Sequence, residues 1–138
     1  MNATVYKSTG SWYQVKDETG KQYNARMLGK FKIEGLTSTN PIAVGDHVVI
    51  GSDTESRDNE SEISFTITEI KKRKNYITRT SPANKHQHHI IASNLDQSLL
   101  FATLKDPKTS QGFIDRFLIT SEAYHIPSII VFNKSDLY

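Results

Sequence analysis

Four consecutive residues near the C-terminal end of the sequence have types and a spacing that suit recognition of a guanine base. Asn133, Lys134 and Asp136 form an Asn-Lys-x-Asp pattern directly after the apolar run at residues 129–132. Guanine carries an N1–H and a 2-amino group side by side, and one aspartate carboxylate can accept hydrogen bonds from both. Asn133 suits the O6 and N7 side of the base, and the methylene stem of Lys134 can lie along its plane. We interpret these residues as guanine-binding, with a polar turn after a strand as the alternative.

The element that must position this loop is a strand–helix–strand unit. Residues 99–104 and 129–132 are nearly continuous apolar runs, which are typical of strands covered on both faces. Between them we expect a helix that begins at Thr109 or Ser110, either of which can cap it, and ends before Pro127. One face of that helix carries the apolar side chains of Phe113, Ile114, Phe117, Leu118 and Tyr124. The unit predicts parallel strands, and ligands bind at the carboxyl ends of such strands, where the Asn-Lys-x-Asp loop follows.

The Asn-Lys-x-Asp spacing matches the guanine-specificity motif of P-loop GTPases. In an ordinary GTPase a phosphate-binding Gly-x-x-x-x-Gly-Lys-Ser/Thr loop precedes that motif, and this sequence contains no such loop. Two interpretations remain open at this point. Either the motif is incidental, or the order of the elements along the chain has been permuted.

The first 80 or so residues have the pattern of a small β-barrel. Short strands are predicted at residues 4–7, 12–16, 22–28, 47–50 and 63–70. The last of these has the clearest period-two alternation, with Ile63, Phe65, Ile67 and Ile70 expected to face inward. Five strands without a strong helix indicate a closed barrel such as the OB-fold.

A basic run follows the last predicted barrel strand. The candidate RNA-binding residues are Lys71, Lys72, Arg73, Lys74 and Arg79. Cationic side chains neutralise phosphates, and aromatic side chains beside them can stack on unpaired bases. The candidate stacking residues are Tyr13, Tyr23 and Tyr76. A solubilising turn is the alternative for the basic run, and Trp12 is expected to pack in the barrel core or at its rim, with base stacking as its alternative.

Composition excludes several classes of protein. The 138 residues include no cysteine, so the sequence forms neither a disulfide nor a thiolate metal site. No apolar stretch approaches the roughly 18 residues of a membrane span, and the N-terminus lacks the pattern of a secretion signal, so a cytoplasmic protein without a membrane partner is expected. His86, His88 and His89 are assigned to an exposed linker rather than to a metal site, because no cysteine or acidic residue adjoins them.

Three segments together resemble one known family. Residues 94–97, 113–118 and 131–137 read Asn-Leu-Asp-Gln, Phe-Ile-Asp-Arg-Phe-Leu and Val-Phe-Asn-Lys-Ser-Asp-Leu. They are similar to segments of the GTPases that depend on the small ribosomal subunit, the RsgA-like family. The resemblance implies an N-terminal OB-fold, then a circularly permuted GTPase domain whose guanine motif precedes its phosphate loop, and a C-terminal zinc-binding domain.

The resemblance predicts an all-β OB-fold barrel followed by an incomplete α/β domain of the permuted P-loop GTPase type. Residues 1–84 would form the RNA-binding OB-fold, residues 85–95 a linker, and residues 96–138 the start of the GTPase domain. The implied whole protein hydrolyses GTP in late assembly of the small ribosomal subunit. Its partners would be that subunit and its ribosomal RNA, and its ligands GTP or GDP with Mg²⁺, with zinc in the C-terminal domain.

The resemblance also implies that the family's phosphate loop, switch elements and zinc site lie beyond residue 138. We therefore expect this fragment to contain no catalytic residue, to bind no metal or cofactor by itself and to be inactive alone. The main alternative is a stand-alone OB-fold RNA-binding protein with a structural βαβ tail. A different GTPase with an appended β-barrel is a further alternative.

Overall fold

The structure, a computed structural model, describes residues 1–27, 41–52, 65–80 and 88–138. The chain divides into two compact units, Met1–Asn94 and Leu95–Tyr138. The first unit holds a barrel and a two-stranded sheet, and the second holds a parallel strand pair with one helix.

The first unit is built around a closed five-stranded barrel with the strand order β1-β2-β3-β5-β4. The strands are β1 (Asn2–Ser8), β2 (Trp12–Asp17), β3 (Gln22–Met27), β4 (His47–Ser52) and β5 (Phe65–Ile70). The pair β3–β5 is parallel, and the other pairs are antiparallel, including β1–β4, which closes the barrel. This architecture confirms the predicted OB-fold.

Every second side chain along the barrel strands points into the interior of the barrel. The buried core consists of Ala3, Val5, Tyr13, Val15, Ala25, Ile42, Val48, Ile50 and Ile67. Phe65 and Ile70 are half-buried against it, and the rings of Phe65 and Tyr23 meet edge to face at 4.7 Å between centroids. The inward prediction is therefore confirmed for Ile67, whereas Ile63 lies outside the described residues.

The turn between β2 and β3 is organised by the carboxylate of Asp17. Its Oδ1 accepts hydrogen bonds from the backbone N–H of Thr19 at 2.9 Å, from the Thr19 hydroxyl at 2.6 Å and from the N–H of Lys21 at 3.0 Å. Its Oδ2 accepts from the Tyr23 hydroxyl at 2.8 Å. The Thr19 and Tyr23 hydroxyls, in that order, lower the pKa of Asp17 from 3.8 to about 2, because they stabilise the ionised carboxylate.

A second hairpin follows the barrel, formed by β6 (Tyr76–Thr80) and β7 (His88–Ser93), which are antiparallel. The predicted linker at residues 85–95 therefore contains a strand, which is a difference from the sequence expectation. The sequence did not predict this strand, because a short strand that begins His-His lacks the apolar alternation by which strands are recognised. His88 and His89 are part of this strand, and His86 lies outside the described residues.

The barrel and this hairpin meet at a buried carboxylate, that of Asp46, which is fully inaccessible to solvent. It accepts hydrogen bonds from the N–H of Ala43 at 2.8 Å, from Nε and Nη2 of Arg73 at 2.6 Å each, and from the Ser93 hydroxyl at 2.5 Å. Arg73 also donates from Nη2 to the carbonyl of Pro41 at 2.7 Å. One carboxylate thus joins the segment before β4, the basic run and the end of β7.

The neighbouring backbone reinforces this junction. The side-chain amide of Asn94 donates to the carbonyl of Gly45 at 2.9 Å and accepts from the N–H of Lys74 at 2.8 Å. Gly45 has a φ of 93°, and a Cβ placed on it would lie 2.0 Å from the carbonyl oxygen of Ser93. Any other residue at position 45 would therefore separate β7 from the barrel.

The second unit consists of β8 (Ser98–Ala102), α1 (Gln111–Ala123) and β9 (Ser128–Phe132), followed by a 3-10 turn, Ser135–Leu137. The two strands pair in parallel, as predicted. Ser110 caps α1 by accepting a hydrogen bond from the N–H of Phe113 at 3.3 Å, which confirms one of the two predicted caps. No helix in the described ranges has the length and apolar character required to cross a membrane.

Burial in this unit is partial. Phe113 on α1 is 48% exposed, whereas Ile114, Phe117, Leu118 and Tyr124 are half-buried. In β8 only Leu100 and Ala102 are buried, whereas Leu99 and Phe101 are exposed. Within the described residues of this unit, α1 packs against one face of the strand pair, and the alternate side chains remain accessible.

Removing the Arg73 guanidinium should strongly destabilise the first unit. Arg73→Ala would leave the Asp46 carboxylate buried without its charged partner, and breaking such a pair costs about 3–5 kcal/mol. Lys72→Ala, which removes an exposed cation one residue away, is the matched control and should change stability by less than about 0.5 kcal/mol. Urea unfolding measures both, and equal midpoints for the two variants would contradict a structural role for Arg73.

Asp17 should contribute to stability only while it is ionised. Its folded-state pKa of about 2 is below the ordinary 3.8, so the contribution is fully present above 3.8 and is lost as the pH falls to about 2. Asp17→Asn should therefore be less stable than the parent near neutral pH, and the difference should shrink across that acid window. Urea midpoints measured along a pH series test this, and a difference independent of pH would rule it out.

Candidate guanine-binding loop and basic surface

The Asn-Lys-x-Asp loop begins at the carboxyl end of the parallel strand pair. The N–H of Asn133 donates to the carbonyl of Ala102 at 2.8 Å, so the loop leaves β9 while still bonded to the last residue of β8. This is the edge at which parallel sheets bind ligands. The register explains the placement, because Ala102 pairs with Phe132, the residue immediately before Asn133.

Lys134 has an unusual backbone and bridges two loops. Its φ of 57° and ψ of 42° are left-handed, a conformation that is uncommon for residues other than glycine and is concentrated at functional sites. Its carbonyl accepts a hydrogen bond from the N–H of Leu137 at 3.0 Å, which closes the 3-10 turn. Its Nζ donates to the carbonyl of Asp106, so its methylene stem extends from the loop after β9 to the loop after β8.

Asp136 and Asn133 present their side chains to solvent. Both residues are exposed, and among the described residues no side chain or backbone group hydrogen-bonds the Asp136 carboxylate. The backbone around them is nevertheless held, because the Tyr138 hydroxyl donates to the carbonyl of Asn133 and accepts from the N–H of Leu104 at 3.3 Å. The arrangement leaves a carboxylate free to accept hydrogen bonds at the end of an ordered loop.

Tyr138 and Asp106 take part in this loop, although the sequence did not identify them. Asp106 contributes through its backbone carbonyl, and within the described residues Tyr138 bonds only to backbone groups. Contacts of this kind have no characteristic residue type or spacing. Only the fold reveals them.

The basic run divides into two kinds of side chain. Lys71, Lys72 and Lys74 are exposed, and Arg79 is exposed on β6. Arg73 instead directs its guanidinium inward to Asp46, where its side chain is only 11% exposed. The structure therefore brings the lysines to the surface and uses the arginine between them to anchor the run.

Lys71 and Lys72 border a surface cleft of about 400 Å³. The N–H of Lys71 donates to the carbonyl of His47 at 2.8 Å, which extends the edge of β4 and fixes the start of the run. Lys16 adds a cation to the lining, but Asp17 and Glu18 also belong to it. The charge of this cleft is therefore mixed.

The candidate stacking residues differ in accessibility. Tyr13 is 1% exposed in the barrel core, so the stacking hypothesis is wrong for this residue, which lies two residues before the buried Val15 on β2 and opposite the buried Ala25 on β3. Tyr23 is half-buried and bonded to Asp17, and its pKa is raised chiefly by that hydrogen bond. Tyr76 is 36% exposed.

Trp12 lies at the barrel rim and is 39% exposed. The guanidinium carbon of Arg26 lies 4.0 Å from the centroid of its ring, which is a cation–π contact. Arg26 was not predicted as a contact of Trp12, although the sequence contains the information needed to pair the two residues. Trp12 and Arg26 are directly opposite each other in the β2–β3 hairpin, so counting outward from its turn pairs them.

The five-stranded barrel and the βαβ unit that ends in an exposed Asn-Lys-x-Asp loop define a class, that of α/β proteins with an appended OB-fold. Sequence comparison specifies the family within this class. The family model described as RsgA GTPase matches residues 70–138, and the one described as RsgA N-terminal domain matches residues 2–58. The chain belongs to the RsgA family, which confirms the resemblance drawn from the sequence.

Curated relatives agree with the family models. The proteins named small ribosomal subunit biogenesis GTPase RsgA from Christiangramia forsetii and Cytophaga hutchinsonii are 53% and 54% identical over all 138 residues of this chain. The chain spans 42% and 43% of the length of these two relatives. It therefore corresponds to less than half of either protein.

Two solved structures have the same architecture. YjeQ from Thermotoga maritima matches 99% of this chain with a TM-score of 0.70 and 30% identity. YloQ, described as a circularly permuted GTPase, matches 99% of the chain with a TM-score of 0.67 and 28% identity. In each case the match covers 42% of the solved chain. The fold is therefore that of the OB-fold and the first α/β elements of a permuted GTPase.

Proposed function

We propose that this chain is the N-terminal part of a cytoplasmic GTPase that acts in small-subunit biogenesis, recognising guanine through Asn133, Lys134 and Asp136. The observation that carries the proposal is the exposed, unbonded carboxylate of Asp136 in a loop held at the carboxyl ends of β8 and β9. The names of the relatives support the same function.

The proposed selectivity for guanine follows from hydrogen-bond chemistry. The Asp136 carboxylate accepts from both N1–H and the 2-amino group, whereas adenine has neither donor at that edge and would leave the charge unpaired. Lys134 is already extended by its bond to the Asp106 carbonyl, so its stem can cover one face of the base without further ordering. Asn133 supplies the amide for the O6 and N7 side.

The residues of this chain fit the base of a nucleotide and do not fit its phosphates. Mg²⁺ and the phosphate loop supply charge neutralisation during hydrolysis, and the sequence contains no Gly-x-x-x-x-Gly-Lys-Ser/Thr segment. We infer that this chain alone binds GTP or GDP weakly and does not hydrolyse GTP. Zinc is proposed only for a C-terminal domain of the whole protein.

We further propose that the first unit binds ribosomal RNA through its exposed cations. Lys71, Lys72, Lys74 and Arg79 are the candidate phosphate contacts. Arg73 is removed from the set predicted from the sequence, because its guanidinium is committed to Asp46 and to the carbonyl of Pro41. The small ribosomal subunit is the proposed partner of the whole protein.

In the full-length protein, Asp136→Asn should change the preferred base from guanine to xanthine. The Asn amide can donate to the 2-oxo group of xanthine but opposes the 2-amino group of guanine, so GTP binding should weaken by about 2–4 kcal/mol. Ser135→Ala, at the unconstrained position of the motif, is the control. Calorimetric titration with both nucleotides tests this, and an unchanged GTP preference would remove Asp136 from the site.

Replacing Lys71, Lys72 and Lys74 by Ala should reduce both RNA affinity and its salt dependence. Loss of three phosphate contacts should lower the log–log salt slope by roughly two for single-stranded RNA. The control is Lys105→Ala with Lys108→Ala, two exposed lysines of the second unit. Filter binding to small-subunit RNA measures the slope, and equal slopes for parent and triple variant would show that the run is a solvated turn.

A further inference from the structure

The two loops that follow the parallel strands β8 and β9 are joined to each other. The first loop, residues 103–110, connects β8 to α1, and the second is the Asn-Lys-x-Asp loop. Within residues 103–110, all of which the structure describes, only Thr103 and Thr109 are half-buried, and the others are exposed. The first loop is therefore packed near its two ends and open to solvent in the middle.

Thr103 and Thr109 close the base of this first loop. The N–H of Thr103 donates to Oγ1 of Thr109 at 2.9 Å, and the N–H of Thr109 donates to the carbonyl of Thr103 at 2.8 Å. The Thr103 hydroxyl donates to the carbonyl of Pro107 within the loop. These three hydrogen bonds form a threonine clasp. The side chain of Thr109 can serve in it because Ser110 provides the cap of α1.

The middle of the loop presents a backbone carbonyl to Lys134. The φ of Asp106 is 49° and that of Lys134 is 57°, so both residues joined by the bond from Nζ to this carbonyl are left-handed. The acceptor is the backbone carbonyl, whereas the carboxylate of Asp106 lies 4.0 Å from the Nζ of Lys105. The direction of the carbonyl therefore depends on the loop backbone, which the threonine clasp fixes.

A second contact joins the same two loops. The Tyr138 hydroxyl accepts from the N–H of Leu104 at 3.3 Å and donates to the carbonyl of Asn133. Asn133 is thus held through its backbone, whereas Lys134 is held through its side chain. A lysine side chain has several rotatable bonds, and the hydrogen bond to the Asp106 carbonyl orders the methylene stem.

We propose that Thr109 is a positioning residue for guanine. The threonine clasp holds the Asp106 carbonyl, the carbonyl holds the Nζ of Lys134, and the extended stem of Lys134 covers one face of the base. The inference rests on the proposed recognition of guanine by Asn133, Lys134 and Asp136, and it extends that site to a loop outside the motif. The physical gain is pre-organisation, because a side chain ordered before binding loses less entropy when the base arrives.

Thr109→Val in the full-length protein tests the clasp. Valine has nearly the same shape but no oxygen to accept from the N–H of Thr103, so GDP affinity should fall roughly 2- to 10-fold, the cost of ordering one side chain on binding. Thr109→Ser keeps the hydroxyl and should bind like the parent. Thr120→Val, which removes a hydroxyl that bonds the Arg116 carbonyl within α1, is the matched control and should also bind normally. Calorimetric titration with GDP measures all four proteins.

A positioning role also differs from a general loss of structure in its kinetic signature. Thr109→Val should keep the parent's preference for GDP over xanthosine diphosphate, because the Asp136 carboxylate is unchanged. The KM for GTP should rise while kcat at saturating GTP stays the same, since the groups that act on the phosphates are untouched. A changed base preference or a lower kcat would overturn the positioning role.

Lys134→Met isolates the last link. Methionine keeps a long apolar stem but lacks the Nζ that bonds the Asp106 carbonyl, so GDP binding should weaken at least as much as in Thr109→Val. In the Lys134→Met background, Thr109→Val should cause no further loss, because the clasp acts through Lys134. Additive losses would overturn the proposal. Unchanged GDP affinity of Lys134→Met would overturn it as well, and this single variant decides the question even where Thr109→Val fails to fold.

Failure of the proposed function has a different signature. If Asp136→Asn leaves the preference for guanine unchanged, the motif does not bind the base and this inference fails with it. If Asp136→Asn changes the preference to xanthine while Thr109→Val and Thr120→Val bind GDP equally, guanine recognition stands and only the role of the loop after β8 is overturned.

Discussion

The buried carboxylate of Asp46 is the interaction on which the first unit depends. A charge removed from water is tolerated only when its hydrogen-bonding capacity is satisfied, and here three donor groups meet both oxygens. The donors come from Ala43, Arg73 and Ser93, which lie in three segments far apart in the chain. Folding of β4, of the basic run and of β7 is thereby coupled, since none of them can leave without removing a hydrogen bond or the ion pair from the buried charge.

This coupling gives the cationic surface its geometry. Arg73 suits the buried position because its planar fork can donate twice to one carboxylate, which the single ammonium of a lysine cannot reproduce. The flanking lysines are thereby directed to solvent at fixed places. On the outer sheet face the opposite arrangement occurs, because Arg26 and Lys16 remain at the surface and order aromatic rings. Arg73 thus anchors the basic run to a buried carboxylate, whereas Arg26 and Lys16 contact aromatic rings at the surface.

The sequence predicts those parts of the structure that local pattern determines. Alternation located the barrel strands, and an apolar run followed by Asn-Lys-x-Asp located the loop at Asn133. The features that the sequence did not predict depend on contacts between residues that are far apart in the chain. Asp46 and Arg73 are 27 residues apart, and nothing in either neighbourhood indicates the other. The register of β1 with β2 shifts between Val5 and Lys7, which makes Tyr6 the extra residue of a β-bulge. This bulge is equally invisible in the sequence, because a one-residue change of register leaves no trace in the pattern of residue types. Burial of Tyr13, by contrast, follows from the alternation along β2, in which Tyr13 and Val15 both point inward.

The contact between Gly45 and Ser93 restricts which residues this junction accepts. Because a Cβ at position 45 would lie 2.0 Å from the Ser93 carbonyl oxygen, a barrel joined to its hairpin in this way requires glycine there. The acid that follows it needs its arginine 27 residues later and its hydroxyl 47 residues later. Glycine–aspartate, arginine and serine–asparagine thus form one constraint that is distributed over three segments of the chain. A replacement in any of these segments disturbs the junction of barrel and hairpin and not only the strand in which it lies.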